Sequence, residues 1–120
     1  MSNTNSQTNV WTQTFDYYMP FAMMGDSAAQ FEIAEIWRLH YKCKILAYHW
    51  YCQSALGGHH KAAMNAACIA LTTQPPDYAS AIKWSDIAIE GDMEGAKLVR
   101  SIVRRHATLD RKSTRLNSSH

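Results

Sequence analysis

The sequence predicts an all-α fold built from about three helix-turn-helix repeats. Three of its five glycines, Gly25, Gly58 and Gly91, are evenly spaced along the chain, and a fixed period of about 20–50 residues is the signature of a repeat architecture. Similar residues recur around each glycine, and we expect the aromatic and aliphatic ones to lie in the core. Before each glycine, an alanine lies three residues away (Ala22, Ala55, Ala88) and an aromatic residue lies seven residues away (Tyr18, Tyr51, Trp84). After each glycine, a small residue lies four residues away (Ala29, Ala62, Gly95). Small or aliphatic residues follow at eight residues (Ile33, Ala66, Val99) and at eleven residues (Ile36, Ile69, Ile102).

Each repeat unit is predicted to be a helix, a turn and a second helix. In the middle unit Tyr51 and Ala55 lie four residues apart, which places them on one helix face. The glycine suits the position just after a helix end, because it adopts the left-handed conformation without steric cost. The residue that follows opens the second helix. Asp26 and Asp92 predict strong N-caps there, whereas His59 predicts a poor one.

The middle unit carries a doubled glycine, Gly57-Gly58, and the sequence leaves open which of the two takes the left-handed conformation. The pairs Ala47 with Ala81 and Trp50 with Trp84 are spaced one residue wider than the glycines. We therefore expect the turn of the middle unit to absorb one extra residue.

The pattern also sets the domain boundaries. We predict a flexible lead-in over residues 1–13, a repeat domain over residues 14–109 and a non-native tail over residues 110–120. The three units are placed at residues 14–43, 44–78 and 79–109. The link between the first two units contains no helix breaker and is predicted to be tight, whereas Pro75 and Pro76 predict a loop before the third unit.

The tail, DRKSTRLNSSH, matches one reading frame of a common sequencing-library adapter, and we therefore leave it out of the fold prediction. It holds three of the 12 basic and one of the 10 acidic residues, so residues 1–109 hold nine of each. A neutral chain gives no electrostatic reason to predict a nucleic-acid or membrane partner. The basic helix predicted over residues 97–106 is accordingly interpreted as a solvated face.

Composition favours a folded cytoplasmic domain. Hydrophobic residues make up 47% of the chain, yet no apolar run approaches the roughly 20 residues that span a bilayer. The polar N-terminus does not resemble a secretory signal. Cys43, Cys52 and Cys68 are odd in number and contain no C-x-x-C pair, which predicts reduced thiols rather than a disulfide framework.

With these motifs the chain resembles the Sel-like repeat branch of the tetratricopeptide superfamily. The segments AYHWYCQSALGGHHKAA and AIKWSDIAIEGDMEGA carry the family pattern closely, and FDYYMPFAMMGDSAAQ carries it more loosely. The first unit departs from the pattern at Tyr18, where Trp is common, and at Pro20 inside the predicted helix. Ankyrin repeats share the period, but their T-P-L-H opening is missing.

The resemblance implies an α-solenoid of stacked antiparallel helix pairs that acts as a protein–protein adaptor, without catalysis, metal or cofactor. The first helix of each unit is expected to line the groove that takes a protein or peptide partner. The candidate partner-binding residues on these helices are Tyr17, His49, Gln53, Lys83 and Asp86. Self-association through the C-terminal repeat is also expected, because that repeat lacks a polar cap.

Two other functions remain as alternatives. Some bacterial members of the family with regular cysteine pairs are assigned β-lactamase activity, but those pairs are lacking here. A metal-binding module would use His49, Cys52 and His60, of which the first two are a permissible i, i+3 ligand pair. We favour the interpretation of the Gly-His step as a turn, because a structural zinc site normally shows tighter Cys and His spacing.

Overall fold

The computed structural model describes residues 4–106, with side chains from Val10 onwards, and every regular element in this part of the chain is a helix. The helices are α1 (Thr4–Met23), α2 (Ser27–Leu39), α3 (Lys44–Leu56), α4 (His60–Ala70) and α5 (Tyr78–Glu90), followed by α6 over residues 96–106. The predicted all-α class is confirmed.

Successive helices form the main packing contacts, in the order α1 on α2, α2 on α3, α3 on α4 and α4 on α5. This order is consistent with a helical repeat fold. The aromatic column lies in the core as predicted, with Tyr51 and Trp84 buried and Tyr18 partly buried against the α1–α2 cluster. The buried residues of α4 are all alanines: Ala62, Ala63, Ala66, Ala67 and Ala70.

The alanine face of α4 sets a strict limit on side-chain volume. We expect Ala66→Leu to lower the free energy of unfolding by about 1–3 kcal/mol, because Ala66 is fully buried and the larger side chain would overpack the interface. The matched control is Ala79→Leu on the exposed surface of α5. Chemical denaturation of both variants checks the prediction, and equal stabilities would contradict it.

Helix α1 begins earlier than the sequence predicted. It starts at Thr4, so residues 4–13 are helical rather than a flexible lead-in. One aromatic contact holds the C-terminal half of this extension against α2, because the Trp11 ring stacks on His40 at 3.4 Å between centroids. Residues 1–3, the last residues of the third unit and the tail over residues 110–120 lie outside the described part of the chain.

The turns within the units use glycine in two different ways. Gly25 and Gly58 have φ values of 99° and 96°. The left-handed conformation was predicted for Gly25, and the structure decides for Gly58 over Gly57 in the middle unit. Gly91 instead has a φ of −94°, and Asp92 takes the left-handed conformation at 53°. Asp92 therefore does not cap the next helix, which begins only after Gly95.

Close approach of the neighbouring unit explains the glycine at position 91. A Cβ atom there would overlap the His60 ring at the start of α4. Gly57 occupies the equivalent place in the middle unit, directly after α3, and a Cβ atom there would lie 3.0 Å from Cβ of Ser27 at the start of α2. The structural equivalent of Gly91 is thus Gly57 rather than Gly58. This longer interval is one residue wider than the glycine spacing and equals that between Trp50 and Trp84.

The same longer interval corrects the last core column. Ile102 was expected in the core but is 45% exposed, whereas its neighbour Val103 is 1% exposed. Val103 packs with Ala70 and Ala81 and is the residue that the longer interval aligns with Ile69. Ile102 and the 64% exposed Leu98 instead give α6 an apolar outer surface, and self-association through this repeat stays a prediction.

Candidate functional site

The five predicted partner-binding residues do not converge on one groove. Tyr17 lies on α1, His49 and Gln53 on α3, and Lys83 and Asp86 on α5; all are exposed except Asp86, which is partly buried. Two of them contact the next aromatic residue on their own helix, and Asp86 faces Arg100 on α6. The His49 ring packs edge-on against Trp50, the Lys83 ammonium lies 4.7 Å from the Trp84 ring centroid, and Asp86 Oδ1 lies 2.8 Å from Arg100 Nε without hydrogen-bond alignment.

Tyr17 does line a groove, which runs between α1 and α2. We call it the α1–α2 groove; it encloses about 270 Å³, and its lining is Tyr17, Tyr18, Phe21, Asp26, Ala28, Ala29 and Glu32. Tyr17 and Phe21 are one helical turn apart and therefore share a face of α1. Their ring centroids are 5.6 Å apart, and that of Tyr18 is 5.1 Å from Tyr17.

The walls of the α1–α2 groove differ in chemistry. On α1 the aromatic wall is open to solvent, with Tyr17 65% and Phe21 45% exposed. On α2 the side chains of Ala28 and Ala29 are too short to fill the space. Asp26 and Glu32 add two carboxylates, and Asp26 also accepts hydrogen bonds from the N–H groups of Ala28 (3.0 Å) and Ala29 (3.2 Å). The groove can thus accept an apolar or a positively charged side chain.

Sequence reasoning found only Tyr17 among these residues. The i, i+4 pair of Tyr17 and Phe21 was a usable signal, since two aromatic residues at this spacing cover one surface of a helix. The part played by Glu32 was not readable in this way, because its position relative to Phe21 depends on how α2 packs against α1.

The structure does not assemble the alternative metal site. Among the described residues no three His, Cys, Asp or Glu side chains are grouped to hold an ion. His49 packs against Trp50 on α3, whereas His60 lies against Gly91 at the end of α5. Cys52 is half-buried, and desolvation raises the pKa of its thiol.

His59 has a defined role in the middle turn. Its Nδ1 atom accepts a hydrogen bond from the N–H of Ala62 at 3.1 Å, so the imidazole caps α4 although the sequence predicted a poor cap. The ring also stacks on Phe31, at 4.5 Å between centroids. Burial, and then the nearby charge of His60, lower the pKa of His59, which favours the neutral form that can accept this bond.

A pH dependence of stability follows from this cap. A histidine whose pKa is lowered in the folded state binds protons more readily when the chain unfolds, so folding weakens as pH falls below the ordinary value of about 6.5. We expect the unfolding free energy of the unchanged chain to drop over this acid range more than that of His59→Asn, which caps without titrating. Urea denaturation of both proteins at a series of pH values measures the effect. Equal losses of unfolding free energy in the two proteins would contradict the prediction.

The described helices and the α1–α2 groove define the class of protein as a helical domain with an open aromatic groove. None of its described helices has both the length and the apolar character needed to cross a membrane. Comparisons with protein-family models, with curated proteins and with solved structures find no match for this chain. The resemblance to Sel-like repeats therefore stays a prediction.

Proposed function

We propose that this chain is a Sel-like α-solenoid that serves as a protein-interaction module, without catalysis, and binds a protein or peptide segment in the α1–α2 groove. The observation that carries the proposal is the exposed aromatic wall formed by Tyr17 and Phe21. Exposed apolar surface lining a groove marks interaction sites, and aromatic side chains provide large contact area at low entropic cost. The serial packing of the helices supports the solenoid assignment.

The carboxylates of the groove suggest what the bound segment contains. Glu32 is exposed on α2 and lies within reach of the same space as the tyrosine rings. A lysine or arginine side chain placed there would meet an aromatic face and a carboxylate together, an arrangement that combines cation–π attraction with a charge-assisted hydrogen bond. We therefore expect the segment to pair a basic residue with an apolar one.

The test is selection of a random peptide library displayed on phage against the purified chain. Enriched peptides are then measured by fluorescence polarisation against Tyr17→Ala, Phe21→Ala and Glu32→Gln. We expect each aromatic variant to weaken binding about tenfold or more, as hot-spot truncations do, and Glu32→Gln to weaken basic peptides selectively.

The matched control is Leu56→Ala, which removes an exposed apolar side chain (61% exposed) at the end of α3. It should leave the affinity unchanged. Peptides that bind Tyr17→Ala and Phe21→Ala as tightly as the unchanged chain would exclude the α1–α2 groove as the site. A selection that enriches no peptide would overturn the proposed function.

Cellular location is part of the same proposal. We infer a cytoplasmic protein because Cys43, Cys52 and Cys68 are free thiols in the structure, and reduced cysteines are typical of that compartment. Thiol titration of the protein isolated from its cells without reductant would test this inference, and a disulfide in the isolated protein would count against it.

A further inference from the structure

A second groove lies where the first two units join. It is formed by the end of α2, the link over residues 40–43, the start of α3 and one face of α4, and it encloses about 380 Å³. Three cationic side chains line it: Arg38, Lys42 and Lys44. We call it the basic groove. None of the partner-binding residues predicted from the sequence lines it.

The positive charge of the basic groove comes mainly from its two lysines. Arg38 is balanced by Glu35, whose Oε1 atom lies 3.2 Å from the arginine Nη2 atom. Lys42 and Lys44 are exposed, and neither pairs with a carboxylate among the described residues. The Lys44 ammonium donates to the hydroxyl of Thr72 at 3.0 Å, which holds the charge beside the groove.

The backbone fixes the place of Lys42. Its φ is 55°, a left-handed conformation that is uncommon for residues other than glycine. Two hydrogen bonds enclose it, because the N–H of Tyr41 donates to Ile36 (3.1 Å) and that of Cys43 donates to Trp37 (2.8 Å). A residue held in this conformation on a short link is placed by the surrounding structure, which keeps Lys42 at the groove.

The opposite wall of the basic groove is one face of α4. Asn65, Cys68 and Ile69 lie on it at i, i+3 and i+4 spacing. The Asn65 amide donates to Oε1 of Glu35, with 3.4 Å between Nδ2 and Oε1. Ile69 supplies an apolar surface, and Cys68 supplies an exposed thiol. The groove therefore combines a cationic rim, polar donors and an apolar wall.

We propose that the basic groove binds a small organic anion, with its carboxylate or phosphate group between Lys42 and Lys44 and its apolar part against Ile69. The volume of about 380 Å³ falls within the range of small-molecule sites, which are mostly apolar with a few placed polar groups. Both oxyanions share the chemistry that ammonium and guanidinium groups recognise. This site is separate from the α1–α2 groove and does not depend on it.

Cys68 provides a reporter for the test, because its thiol lines the groove. In a Cys43→Ser/Cys52→Ala background it is the single cysteine of the chain. Its rate of reaction is measured with dithiobisnitrobenzoate, which is a dianion, and with neutral dithiodipyridine. We expect Lys42→Gln/Lys44→Gln to slow the anionic reagent at least about fivefold at low salt and to leave the neutral reagent unchanged, since local positive charge concentrates anions.

The matched control is Lys61→Gln/Lys97→Gln, which removes the same charge outside the groove. Equal slowing by both double variants would show that only the overall charge matters and would overturn the proposal. Circular dichroism of each variant confirms that it is folded before the rates are compared.

Protection experiments identify the oxyanion. Phenylphosphate and benzoate are added separately, each at the ionic strength of a sodium chloride control, and the rate of the neutral reagent at Cys68 is followed. Slowing by one of them, lost in Lys42→Gln/Lys44→Gln, supports the proposal and distinguishes a phosphate from a carboxylate site. Failure of both compounds to slow the reaction beyond the chloride control would overturn it.

Discussion

Replacing Gly91 with alanine is expected to lower the free energy of unfolding by about 2–3 kcal/mol, near the upper end of overpacking costs. The backbone itself allows alanine, because φ is −94° and ψ is 13°. The cost comes from space, since the new methyl group would overlap Cγ and Nδ1 of His60 and lie 2.6 Å from its Cβ. Relief requires the start of α4 to move away from the end of α5. Urea denaturation of the variant measures the effect.

A second substitution tests the cause. His60→Ala removes the two ring atoms that overlap but keeps Cβ, so it should recover part of the stability lost in Gly91→Ala. Residues in direct contact show interaction energies of about 0.5–3 kcal/mol in such cycles. Gly95→Ala is the matched control, because Gly95 has a φ of 82° and no atom within 4 Å of an added Cβ. Its cost of about 1–2 kcal/mol arises from the left-handed backbone and should not depend on His60.

The register of the third unit shows where sequence reasoning reached its limit. Matching Gly91 to Gly58 gave a uniform period, but the structural equivalent of Gly91 is Gly57. Gly57 and Gly91 make room for the second helix of the preceding unit, whereas Gly58 adopts the left-handed conformation. A list of glycine positions cannot separate these two needs. The pairs Ala47 with Ala81 and Trp50 with Trp84 share the interval that separates Gly57 from Gly91, and they carried the correct register.

The candidate sites were less predictable than the fold. The helical class follows from periodicity within single segments, and aromatic residues at that spacing were correctly expected in the core. A groove depends instead on which side chains meet across two helices. The basic groove draws its lysines from the link and from α3, and its other wall from α4, so its residues share no local pattern. Tyr17 was found because it lies on the first helix of its unit, which was expected to line the groove.

The largest loss of stability is expected from Tyr51→Ala, at about 3–5 kcal/mol, the range measured when large buried aromatic residues are truncated. Tyr51 is fully buried between the first two units. Its hydroxyl donates to Glu35 and accepts from Arg38 Nε at 2.7 Å, and Asn65 of α4 donates to the same carboxylate at 3.4 Å. Removing the ring would leave a cavity and also separate this polar network. A whole domain has an unfolding free energy of only about 5–15 kcal/mol. Urea denaturation of the variant should therefore show a marked fall in unfolding free energy or a chain that is already unfolded.

Tyr51→Phe isolates the hydroxyl from the ring. It keeps the packing, and we expect it to cost about 1–3 kcal/mol, because Glu35 and Arg38 each lose a partner. Burial, and then the bond to Glu35, raise the pKa of Tyr51 to about 12, above its ordinary value of about 10. A group whose pKa is raised on folding stabilises the fold at pH values below its unfolded-state pKa. This contribution is lost as the pH rises towards its folded-state pKa. The unchanged chain should therefore lose stability from about pH 10 to 12 more steeply than Tyr51→Phe, and parallel curves for the two proteins would show that the hydroxyl is not held by this network.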